Sequence, residues 1–205
     1  SSPTSTTTIT LSKATGGGSL SGTLTGTIGT SATSVTIATP VYSKSDTMTL
    51  TAPATAGMTS LTAVTSGNIV FSAGTASQLV LTTDAAGAAS GVAFTTQPVV
   101  AVRDAGNNTV TGDNSTVVTM TVSAGATVVG TATASASSGV ATFTTVGISG
   151  TAGTSYTLTF SSGALTPASQ AITPALGAAS RLVLTTAAAG AVNGAAFTTQ
   201  PVVAV

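Results

Sequence analysis

The chain has no cysteine, no histidine, no glutamate and no tryptophan, and only eight of its 205 residues are charged. Without cysteine there is no disulfide scaffold. Without cysteine and histidine, the usual zinc, copper, haem and iron–sulfur ligands are missing. Ser-His-Asp and Cys-His nucleophiles are excluded on the same ground. The acidic residues are four scattered aspartates, Asp46, Asp84, Asp104 and Asp113, which do not suggest the carboxylate pair of a glycoside hydrolase. No assembled acid/base pair is visible, and the chain reads as no enzyme. The cations are Lys13, Lys44, Arg103 and Arg181, too few and too dispersed for a nucleic-acid face. Zero net charge removes electrostatic attraction to a membrane surface or an acidic substrate. No apolar run reaches the 18 or so residues of a spanning helix, so no membrane insertion is expected in this segment. The opening Ser-Ser-Pro-Thr-Ser has neither the charged start nor the apolar core of a signal peptide. A secreted chain can have lost one.

Thr, Ala, Ser and Gly supply 131 of the 205 residues. Such a bias suggests disorder, but disordered chains combine low hydrophobicity with high net charge. Here 42% of residues are hydrophobic and the net charge is zero. The period inside the chain is two. Residues 23–28, 35–37, 47–51, 118–122, 141–143 and 156–160 alternate apolar side chains with Thr. Alternation places one set on a buried face and Thr on the other. Thr and Val suit the pleated surface because they branch at Cβ. Glycine-rich stretches punctuate the strands at roughly 8 to 12 residues, which is the sandwich pattern. The expectation is all-β, with about seven to nine strands per unit.

The chain also repeats itself. ASQLVLTTDAAGAASGVAFTTQPVVAV (76–102) returns as ASRLVLTTAAAGAVNGAAFTTQPVVAV (179–205), with 22 of 27 positions identical. A weaker match sets residues 1–75 on the later part of the same unit: Leu11 falls on Val122, Gly22 on Gly130, Val35-Thr36-Ile37 on Ala141-Thr142-Phe143, and Leu61-Thr62 on Leu165-Thr166. The unit is about 103 residues, a single-domain length. Residues 1–75 then form an incomplete domain lacking its first strands. Residues 76–178 form a complete one, and residues 179–205 supply the first strands of a further one.

The middle unit resembles a bacterial immunoglobulin-like domain of the invasin/intimin type. The residues that carry the resemblance are Val102, Asp104, Gly106 and Asn107 in VAVRDAGNNTVTGDN, then Gly139, Val140, Ala141, Thr142, Phe143, Ala152, Gly153 and Tyr156 in SGVATFTTVGISGTAGTSYTLTF. The resemblance implies tandem immunoglobulin-like β-sandwiches, one complete and two partial. It also implies an extracellular or cell-surface location, usually as a rigid stalk segment. The near absence of charge departs from a typical adhesin stalk.

Two strands alone are marginal in water, and those of residues 179–205 would expose Leu182, Leu184, Phe197, Val203 and Val205. The head unit lacks these same strands. Strand addition between copies, as in donor-strand complementation, would satisfy both and give head-to-tail self-association into a filament. A longer covalent array explains the same ends without a second copy. An adhesin gripping a glycan or protein through its end loops is the alternative function, although seven Phe and Tyr in all leave little for sugar stacking.

Asp104, Asn107, Asn108, Asp113 and Asn114 lie within eleven residues. Hard oxygen ligands at this density make Asp104, Asn107 and Asp113 calcium candidates; Asp and Asn equally support turns. No other cofactor is expected. Thr-x-Thr arrays on outer faces raise ice binding against the plain reading of solvent-side Thr. Asn107–Thr109 and Asn114–Thr116 match the glycosylation sequon.

Overall fold

The computed structural model describes residues 2–179 and 181–205. It is all-β, and no helix occurs among the described residues. Strands β1 (Thr7–Thr10), β2 (Ser12–Thr15), β3 (Leu20–Gly22), β4 (Thr25–Ile28), β5 (Pro40–Tyr42), β6 (Thr47–Ala52), β7 (Ala54–Ala56), β8 (Val64–Thr65) and β9 (Ile69–Val70) pair only among themselves. Strand β1 lies between β4 and β7, β6 joins β2, β8 and β9, and β3 pairs with β5.

The next ten strands do the same. They are β10 (Ala76–Thr83), β11 (Val92–Ala93), β12 (Val99–Asp104), β13 (Val117–Val122), β14 (Ala126–Val129), β15 (Thr133–Ser137), β16 (Val140–Thr142), β17 (Gly147–Gly150), β18 (Tyr156–Ser161) and β19 (Ala168–Ile172). One path runs β10-β12-β16-β15-β13-β18-β19, and a second, short sheet runs β11-β17-β14. Strand β15 divides its pairing along its length: Thr133–Ser135 pair with β13, while Ala136 and Ser137 pair with β16. The strand count exceeds the expectation because β11 is a separate piece of two residues. Finally β20 (Val183–Thr186) pairs only with β21 (Val202–Ala204).

Alternation built the middle core as the sequence pattern requires. In β18 the inward residues Tyr156, Leu158 and Phe160 are buried, and in β13 Val118 and Met120 are. Phe143 and Phe160 meet edge to face, with centroids 5.6 Å apart, the arrangement favoured by the ring quadrupoles. Leu79, Phe94, Val100 and Val102 complete the same cluster.

Residues 35–37 correct the sequence expectation: Val35-Thr36-Ile37 alternates but is not a strand. Its counterpart β16 is held between β15 and β12, with Val99, Val100 and Ala101 opposite Thr142, Ala141 and Val140. Nothing corresponding to β12 lies beside 35–37 among the head strands. An isolated extended segment gains little from propensity alone; its ladder partners decide whether it is a strand.

Candidate functional site

The seat of β10 and β12 in the middle segment shows what such a strand pair contributes. Leu79, Val100, Val102 and Phe94 are each 4% exposed or less. Backbone bonds fix them to the body: Leu79 N–H donates to Thr166 C=O (2.8 Å), Thr166 N–H to Ser77 C=O (3.0 Å), Phe94 N–H to Val146 C=O (2.9 Å) and Val102 N–H to Gly139 C=O (2.8 Å). Gln97 adds a two-sided grip. Its Nε2 donates to Val146 C=O (3.0 Å) and its Oε1 accepts from Val146 N–H (2.9 Å).

The pair β20–β21 repeats this hairpin without a body. Val183, Leu184 and Thr186 stand opposite Ala204, Val203 and Val202, the register of Val80, Leu81 and Thr83 against Ala101, Val100 and Val99. Even the irregularity falls at the same place, between Leu184 and Thr186 as between Leu81 and Thr83. Ala189 bridges Thr199 as Ala86 bridges Thr96. What changes is burial. Leu182 is 72% exposed, Leu184 57%, Phe197 44%, Val203 56% and Val205 81%. Gln200 Nε2 donates to Phe197 C=O (2.7 Å) as Gln97 does to Phe94, yet it has no second strand to grip.

The head segment presents the converse. Thr8 pairs with Thr27 in β1–β4 as Thr119 pairs with Thr133 in β13–β15, so this strand pair keeps the register of its counterpart. Between its sheets lies an open apolar groove of about 550 Å³, lined by Ile9, Leu11, Ile28, Val35, Ile37 and Leu61 among others. In the sequence match Ile9, Leu11, Ile28, Val35, Ile37 and Leu61 fall on Met120, Val122, Ala134, Ala141, Phe143 and Leu165. All six of those pack in or against the cluster that contains Leu79, Val100 and Val102. Thr62, at the groove, falls on Thr166, which bonds β10.

The calcium candidates sit in three separate sets of partners. The Asp104 carboxylate accepts from Gly74 N–H (2.8 Å), Asn108 N–H (2.8 Å) and the Asn108 side-chain amide. These bonds, led by Gly74, hold its pKa below the ordinary carboxylate value by stabilising the charged form. Asn107 accepts from Arg103 (2.9 Å). Asp113 accepts from the Thr116 hydroxyl and from the Ser115 and Thr116 N–H groups, which lowers its pKa too. Among the described residues no three Asp side chains gather into one cluster. Asn108 Oδ1 also accepts from Ser45 N–H (3.1 Å). The Asp104–Asn108 turn therefore ties the middle segment both to the loop at 45 and to the connecting stretch at 74.

Sequence reasoning found the exposed hairpin residues but passed over Gln97, Gln200, Thr62 and Thr166. The signal for the glutamines was the Thr-Thr-Gln-Pro run common to both copies.

No family model and no curated protein matches the chain. Among solved structures it is similar in part to a β-glycosidase from Bacteroides vulgatus, at 10% identity and TM-score 0.41, covering 81% of this chain and 21% of that one. A glycosyl hydrolase family 2 member from Bacteroides cellulosilyticus matches at 14% and TM-score 0.42, covering 82% and 21%. The Parabacteroides merdae β-glucuronidase matches at 12% and TM-score 0.36, covering 63% and 17%. The chain spans about a fifth of the length of these proteins.

Proposed function

We propose that the chain is a structural segment of an extracellular filament or stalk built from repeated sandwiches of the bacterial immunoglobulin-like type. Its units are joined by strand complementation. The hairpin of residues 181–205 of a second copy fills the groove of residues 2–75. The observation that carries this reading is the reversal of burial: Leu79, Phe94, Val100 and Val102 are core, while their copies Leu182, Phe197, Val203 and Val205 are exposed. The apolar groove of the head segment, lined by Ile9, Leu11, Ile28, Val35, Ile37 and Leu61, supports it with matching chemistry.

In the seated state Val202–Ala204 pair with residues 35–37, as Val99–Ala101 pair with β16. Leu182, Leu184, Phe197, Val203 and Val205 enter the groove. Each large apolar side chain contributes about 1.5–3 kcal/mol when fully buried, set against the cost of association. This is β-strand addition at a sheet edge. Donor and acceptor are different surfaces, so the contact does not close on itself and propagates as a fibre. The role is mechanical and requires no catalytic group. An adhesin reading has less support. Phe94, Phe143, Phe160 and Tyr156 are buried, Tyr42 packs against Phe71 with ring centroids 5.0 Å apart, and the seventh aromatic, Phe197, is in the hairpin.

The test is sedimentation of the 205-residue chain over a range of concentrations. Wild type is expected to form a ladder of head-to-tail multiples, and Val203→Asp to stay monomeric. A wild-type monomer at every concentration, or a Val203→Asp chain that assembles equally well, overturns the reading.

A further inference from the structure

The acceptor groove departs from the middle seat at one edge, and the departure bears on how firmly a hairpin is held. In the middle segment β11 lies on β17, with Val92 opposite Ile148 and Ala93 opposite Gly147. Gly147 has no Cβ, and a Cβ built there would run into the Val92 carbonyl oxygen and lie 2.7 Å from the Ala93 Cα. Close backbone approach of this kind needs glycine.

The equivalent position in the head is fixed by a second glycine contact. Gly130 (φ 76°) and Gly22 (φ 83°) both sit in the left-handed region. In each, an added Cβ would meet a threonine carbonyl, that of Thr145 or of Thr39. Matching Thr39 to Thr145 sets Pro40 on Val146, Val41 on Gly147 and Tyr42 on Ile148. Burial agrees at the inward position, where Tyr42 and Ile148 are both buried. Val146 and Gly147 are buried, whereas Pro40 and Val41 are exposed, Val41 at 55%.

From these placements we infer that Pro40 and Val41 are specificity-determining residues that weaken the head groove as an acceptor. They admit β20 and β21 while keeping residues 195–196 of the incoming hairpin off strand β5. Val41 puts a Cβ where the β11-like stretch has to pass. Pro40 has no N–H, so Gln200 finds only one of the two backbone groups that Gln97 grips on Val146. The hairpin thus fits best in a unit with glycine at this place, and the junction made with the head unit is the exchangeable one. This inference rests on the strand-complementation reading.

The experiment is assembly of full-length Val41→Gly, Val41→Ala and wild type, followed by sedimentation and by hydrogen exchange at the Gly194 and Phe197 amides, whose counterparts Gly91 and Phe94 donate to Ile148 and Val146 C=O in the middle seat. Val41→Gly is expected to assemble at about tenfold lower concentration, the effect of one or two regained ladder bonds, with slowed exchange at Gly194 and Phe197. Val41→Ala keeps the Cβ and is expected to behave as wild type. Wild type that assembles while Val41→Gly gains nothing overturns this inference and leaves complementation standing. Failure of all three chains to assemble overturns complementation itself. Should Val41→Gly not fold, Gly147→Ala gives the converse reading. It is expected to speed exchange at the Gly91 and Phe94 amides, which donate to Ile148 and Val146 C=O, and unchanged protection there overturns the inference.

Discussion

Asp104 is a carboxylate only 6% exposed, and its charge is held by amide donors rather than by a cation. Its folded-state pKa lies below the unfolded value of about 3.9. The stabilisation is therefore fully present above that value and is lost as the pH falls through the folded-state pKa. Asp46 and Asp113 shift the same way, Asp46 chiefly through Gly17 N–H and Asp113 through Thr116. Melting temperature is expected to be flat at neutral pH and to drop below about pH 3.9. Asp104→Asn turns an acceptor into a partial donor facing Gly74 N–H. It is expected to melt lower than wild type at pH 7, with the gap closing in acid; thermal unfolding at both pH values checks this. Phe143 is a simpler case. It is 2% exposed and packed edge to face against Phe160, so Phe143→Ala is expected to cost about 3–5 kcal/mol in denaturant unfolding. The turn chemistry of Asp104 and Asn108 was legible in sequence, but Gly74, which bonds Asp104, and Ser45, which bonds Asn108, were not. They come from stretches 30 and 63 residues away from their bonding partners. Thr7 also escaped the pattern. It is fully buried because its hydroxyl donates to Ser5 C=O (3.0 Å) and accepts from Met58 N–H (3.2 Å), which satisfies a polar group inside the fold.

At the scale of strands, periodicity predicted composition of faces well and ladder membership less well. The alternating runs at 47–51, 118–122 and 156–160 are strands with paired neighbours on both sides. The run at 35–37 carries the same signal without a neighbour and stays irregular. A pattern of side chains reports which face would be buried; it is silent on whether a partner backbone is present. If a hairpin fills the groove as proposed, residues 35–37 are where it would register. Their amides are expected to exchange fast in the monomer and to gain at least tenfold protection in the assembled chain, as local opening is suppressed. Equal exchange in both states would mean that the incoming hairpin does not pair there. The position of Val41 was not readable from alternation at all, because Gly147 owes its identity to the backbone of a strand 55 positions earlier in the chain.

Across the whole molecule the scarcity of charge becomes a statement about assembly. Lys44 and Asp46, 3.9 Å apart, make the one ion pair among the described residues, and surface pairs of that kind contribute little. Contacts between copies would rest on apolar side chains and backbone ladders, which salt does not screen. Light scattering of the assembling chain is expected to change little between low salt and about 1 M sodium chloride. A strong salt dependence would point to a different interface. Because the carboxylates of Asp104 and Asp113 already have hydrogen-bond donors, calcium or a chelator is expected to leave the melting temperature unmoved. A rise on adding calcium would support them as ligands.

The near identity of the two hairpins also sets an order of events during synthesis. Residues 76–104 leave the ribosome before the body they pack on, and residues 181–205 follow after that body is complete. Domains fold as units during synthesis, N-terminal parts first. The first hairpin thus reaches the middle seat before its near-twin exists. The later copy, equal in sequence at most positions, arrives to find the place taken. Refolding the whole chain from denaturant removes that head start and lets the two hairpins compete on equal terms.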